Sequence, residues 1–102
     1  MMFSKENRFM TRKIADSLEF GIQVLLWEMI EQLKVDKIKQ DYLQVFEIKG
    51  TGDGCTIKHS QEFPSYTRTY EFKKVRVQAE LEMKIFVIDA GEYSTMLFAE
   101  EY

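Results

Sequence analysis

One cysteine, one histidine and one proline in 102 residues close several chemistries before any pattern is considered. Cys55 alone cannot form an intrachain disulfide, which excludes the secreted, disulfide-stapled class. One cysteine and one histidine cannot supply the four protein ligands of a structural zinc site. Positions 55, 57 and 59 share a face of a predicted strand, so Cys55 and His59 stand about 13 Å apart, too far for a thiolate–imidazole pair. The expectation there is a small strand residue and a partly exposed histidine. Ser60 and Ser94 would have only that imidazole as a base, and neither is flanked by a nucleophile elbow. No cofactor is expected, and the reading leans away from an enzyme.

Long apolar runs are missing too. Val24-Leu25-Leu26-Trp27 is closed by Glu28, far short of the roughly 20 residues of a membrane span. The first residues carry charge from Lys5 onward and lack the apolar run of a signal peptide, so no membrane partner and a cytoplasmic location are expected. With a net charge of −3 there is no basic field of the kind that attracts nucleic acid or acidic lipid.

What is present is enough to fold. At 45% hydrophobic and 14% aromatic residues, the composition suits one packed domain over residues 1–102. Residues 16–34 carry the helix signal: Asp16 and Glu19 fit a capping box, and Leu18, Ile22, Leu25, Leu26, Met29, Ile30 and Leu33 fall within an arc of about 140°. The pattern then turns to β. Strands are predicted over 41–49 and 55–62, joined by the turn Thr51-Gly52-Asp53-Gly54, and over 66–73 after the break at Pro64. Residues 75–85 alternate strictly. From Ile85 to Ile88 both faces are apolar, which predicts a strand in a sheet covered on both sides. Asp89-Ala90-Gly91-Glu92 reads as a turn before a last strand over 94–99, and 8–14 adds an edge strand. The fold class is α+β, one principal helix packed on a mostly antiparallel sheet of five to six strands.

The stretch Lys84 to Tyr102, with Arg8 to Arg12, Val24 to Trp27, Asp41 to Glu47 and His59 to Glu62 in order, resembles an uncharacterised family of short Firmicutes proteins, domain of unknown function 960. The resemblance implies a bacterial cytoplasmic setting and no assigned activity. The family's turn is more acidic than Asp89-Ala90-Gly91-Glu92, where Ala90 removes a carboxylate. A hard cation held by Asp89, Glu92 and Glu100 or Glu101 is therefore weighed against a structural turn, and the turn is preferred.

Two features point to binding. Phe20, Val24 and Trp27 lie opposite the helix's core arc, where a one-faced surface helix should be polar. Either another element covers this stripe or it meets a partner. Residues 66–77 carry net +3 with interleaved aromatics, against net −5 over 78–102. Tyr66, Arg68, Tyr70, Lys73, Lys74 and Arg76 could therefore stack and hold single-stranded nucleic acid. The leading expectation is a noncatalytic protein-interaction module using Phe20, Val24 and Trp27, either as a homodimer or with another protein. Single-stranded nucleic-acid binding is the alternative.

Overall fold

The computed structural model describes residues 2–73 and 82–102. The chain runs β1 (Arg8–Met10), α1 (Arg12–Ser17), α2 (Phe20–Val35), β2 (Leu43–Gly50), β3 (Gly54–Gln61), β4 (Tyr66–Lys73), β5 (Glu82–Asp89) and β6 (Ser94–Phe98), then a 3-10 turn, Ala99–Glu101. The first seven residues of the alternating stretch 75–85 lie outside the described residues; the rest opens β5. Six strands form one sheet in the order β1-β6-β5-β2-β3-β4. All neighbours are antiparallel except β1, which lies parallel to β6.

The helical region begins differently from the expected single helix. Thr11 caps α1, its hydroxyl accepting the Ile14 amide at 3.3 Å, and Leu18 then takes an extended conformation (φ −112°, ψ 123°) that ends it. Glu19 precedes α2 without any side-chain cap bond, so Asp16 and Glu19 make no capping box. The break lets Leu18 drop into the core. Gln23, buried one turn into α2, donates to the freed Leu18 carbonyl at 2.8 Å. At the other end α2 closes in a Schellman motif. Ile38 N–H donates to Leu33 O, Lys37 N–H donates to Lys34 O, and Lys37 sits in the left-handed region at φ 57°.

The apolar arc packs as its spacing requires. Leu18, Ile22, Leu26, Met29 and Ile30 meet Phe46, Ile48, Ile57, Ile85, Val87 and Met96 from the sheet, and Ile14 of α1 joins them. Each fully buried aliphatic side chain contributes about 1.5–3 kcal/mol before entropy is counted. Phe3 plugs one end of this layer. Its carbonyl accepts from Arg8 and Lys34, and both cations also hold Glu31 at 2.8 and 3.0 Å. Burial alone would raise the Glu31 pKa, but the hydrogen bonds and charges of Lys34 and Arg8 outweigh it and hold the carboxyl below its usual value.

Both helices lie on the same side of the sheet. Among the described residues no helix covers the other side, so the described helices do not supply the double cover expected from Ile85 to Ile88. No described helix is long and apolar enough to cross a membrane.

Candidate functional site: the open face of the sheet

Strand register determines what the uncovered face presents. Read across the strands, one row holds Phe9, Thr95, Ile88 and Leu43, and the next holds Leu97, Phe86, Val45, Ser60 and Thr67. Below these come Lys84, Glu47, Lys58 and Thr69, then Glu82, Lys49, Thr56 and Glu71. The face is thus apolar in its upper half and charged in its lower half. Leu43, Val45, Phe86, Ile88 and Leu97 are half-buried, whereas Phe9 at the rim is 53% exposed. Exposed Tyr93 and Tyr102 extend this rim, with rings edge-on to Phe9 at 5.9 Å and to Phe86 at 5.6 Å. Two rows over four strands span about 300 Å², the size at which an apolar patch on a monomer is commonly functional.

The charged half is self-compensating. Lys49 pairs with Glu82 at 3.5 Å and Lys58 with Glu47 at 3.7 Å, so signs alternate between neighbouring strands. All four groups are half or more exposed, and such pairs add little stability. They do leave the face close to neutral.

The opposite, helix-covered face holds the only histidine. His59 is fully buried, not partly exposed as expected, and stacks on Phe46 with ring centroids 4.5 Å apart. The Gln44 amide nitrogen donates to Gln61 Oε1 at 2.7 Å and to the Asp41 carbonyl at 2.9 Å, which leaves Gln44 Oε1 to accept from His59 Nε2 at 2.6 Å. Gln61 in turn donates to the carbonyls of Lys39 and Pro64. This buried chain ties the α2–β2 connection to the β3–β4 turn. Burial pushes the His59 pKa down to about 4, so the imidazole is neutral at physiological pH. It is also sealed from Ser60, whose side chain points to the open face. Burial likewise raises the Cys55 thiol pKa, away from thiolate reactivity.

The residues proposed from sequence are dispersed. Phe20 and Val24 are 73% and 39% exposed on the outer side of α2. Trp27 is half-buried against the core, with the Arg8 guanidinium 4.5 Å above its ring. Tyr66 and Tyr70 turn toward the helix layer and their hydroxyls are buried, while Lys73 projects to the opposite face. Arg68 lies 4.7 Å over the Tyr70 ring and 3.9 Å from Asp36. Lys74 and Arg76 lie outside the described residues. In the turn, Asp89 accepts the Gly91 amide at 2.9 Å and the Phe3 amide at 3.3 Å, and Gly91 takes φ 103°. Glu100 and Glu101 are engaged elsewhere, by Lys13 and by Thr11. Among the described residues no three His, Cys, Asp or Glu side chains are grouped to hold a metal.

A cleft of about 1000 Å³ opens at the α1–α2 elbow, lined by Leu18, Phe20, Met83 and Phe98 beneath Asp16, Glu19, Glu82 and Glu100. Arg12, Lys49 and Lys13 pair with three of those four carboxylates. The open-face patch was the site missed in the sequence. Its signal was the run Ile85 to Ile88 together with Leu43 and Val45.

Comparison with known proteins places the architecture. The chain is similar to a solved structure titled "Crystal structure of the protein of unknown function from Enterococcus faecalis", with a TM-score of 0.84 and 22% identity. The match covers 100% of this chain and 96% of that one, and at this identity it establishes the fold. Among curated proteins no relative matches. The sequence model of the family described as "Staphylococcal protein of unknown function (DUF960)" matches residues 7–101, and the chain belongs to that family.

Proposed function

We propose that this protein is a noncatalytic protein-interaction module whose contact surface is the apolar half of the open sheet face. The observation that carries this reading is the row register, which gathers Leu43, Val45, Phe86, Ile88 and Leu97 on a face that no described helix covers. Interface centres are apolar and aromatic, and the upper half of this face is apolar with aromatic rings at its edge. Phe20 and Val24 offer a smaller contact on the helix side, because Trp27 is engaged by Arg8. The nucleic-acid alternative has less support: it needs stacking rings beside free cations, and the Tyr66 and Tyr70 rings lean into the protein.

The test is affinity capture from a Firmicutes lysate, with and without nuclease, comparing the wild type with Phe86→Glu. Retention of protein, indifferent to nuclease and lost in Phe86→Glu, is the expected result. Retention that depends on nucleic acid, or protein retention unchanged by Phe86→Glu, overturns it.

A further inference from the structure

We infer that the occupant of the open face is a second copy of this chain, stacked about a twofold axis that runs parallel to the strands along the β2–β5 seam. This rests on the interaction reading above and names its partner. Across the seam the ladder pairs Leu43 with Ile88 and Val45 with Phe86, and, lower down, Glu47 with Lys84 and Lys49 with Glu82. Every pair is apolar with apolar, or acid with base.

A twofold along the seam exchanges β2 with β5, so each residue faces the copy of its own ladder partner. On the seam strands apolar positions then meet apolar ones, Leu43 against Ile88 and Val45 against Phe86. Lys84 meets Glu47 of the other copy, and Glu82 meets Lys49. Complementarity across the ladder thus becomes complementarity across the dimer, as an isologous interface requires. Two sheets packed face to face lie about 10 Å apart, within reach of lysine and glutamate side chains from both sides.

Only positions at the same height meet across this axis, so the contact centres on β2 and β5 and covers about 350 Å² per copy, or about 700 Å² in total. That is below the roughly 1,200 Å² of stable interfaces, which makes this a weak, concentration-dependent dimer. A strongly charged partner fits less well, because Lys49 pairs with Glu82 and Lys58 with Glu47 on the face.

Sedimentation equilibrium over the micromolar to high micromolar range tests this. The expected result is a dimer whose dissociation constant rises about 100-fold in Phe86→Glu, a central position on the seam. Ser60→Lys on the same face, opposite Leu97 of the other copy, removes no apolar side chain; it should weaken the dimer too and guards against a misfolded Phe86 variant. Glu47→Lys, which sets lysine against Lys84 of the other copy, should weaken the dimer about tenfold, and adding Lys84→Glu should restore it. A monomer throughout, or a dimer indifferent to both Phe86→Glu and Ser60→Lys, overturns the inference. If the monomer still captures another protein through Phe86, only the choice of partner has failed; if it captures none, the interaction reading falls with it.

Discussion

Lowering the pH should destabilise this fold through His59 in a way that a single substitution can isolate. In the folded chain burial depresses the His59 pKa to about 4, whereas an unfolded histidine titrates near 6.5. Between those values the unfolded chain binds the proton and the folded chain does not. The stabilising contribution is therefore fully present above pH 6.5 and is lost as the pH falls toward 4. A separation of about 2.5 at roughly 1.4 kcal/mol each amounts to about 3 kcal/mol, a large share of the 5–15 kcal/mol that typically holds a domain together. His59→Gln keeps an amide donor for Gln44 but cannot titrate. It also loses the ring stacked on Phe46, which costs about 1–2 kcal/mol at neutral pH. Urea unfolding from pH 7.5 to 4.5 should then show the wild type ahead at pH 7.5, the gap shrinking below pH 6.5 by about 1.4 kcal/mol per pH unit, and the variant the more stable of the two by pH 4.5. Titration of surface carboxylates is common to both proteins and cancels in the difference. A gap that stays constant from pH 7.5 to 4.5 would refute the argument, because it would mean that His59 accepts its proton as readily inside the fold as outside.

Three further outcomes follow from local geometry. Lys37→Gly should stabilise the protein by about 0.5–1 kcal/mol and raise Tm by a few degrees, because the left-handed position closing α2 suits glycine; calorimetry checks it. Gly54→Ala should cost on the order of 2 kcal/mol in denaturant unfolding, since an added Cβ would stand 2.0 Å from the Phe72 carbonyl oxygen across the β3–β4 ladder. Arg8→Ala should cost about 1–2 kcal/mol and shift the emission of Trp27, the only tryptophan, to longer wavelength as water reaches its ring. Unchanged emission in that variant would show that Arg8 does not shield the ring.

Where local pattern and burial agree, the sequence was informative. Alternation placed β4 at its observed bounds, and helical spacing identified the buried arc of α2. The helix start was misjudged because Asp16 and Glu19 satisfy the capping spacing, yet the free energy of burying Leu18 favours an extended residue at that point. The same parity that put Cys55 and Ile57 on one face also put His59 there. Its polarity suggested exposure because its hydrogen-bond partner, Gln44, comes from another strand, which the pattern of β3 alone does not reveal. The open face could not be told from a doubly covered one. An apolar run such as Ile85 to Ile88 states that both sides of a strand avoid water, not whether the second cover comes from the same chain.

The pairing of β1 with β6 also bears on how the molecule is made. Arg8 stands beside Ser94 and Met10 beside Met96, so the first strand's partner leaves the ribosome long after it. During synthesis β2, β3 and β4 can zip as a meander of near neighbours, while β1 must wait. Contacts this distant in sequence close large loops and slow the final folding step. For most of the interval between the two strands the nascent sheet lacks both β5 and β6, and only the arrival of Ser94–Phe98 gives β1 a strand to pair with.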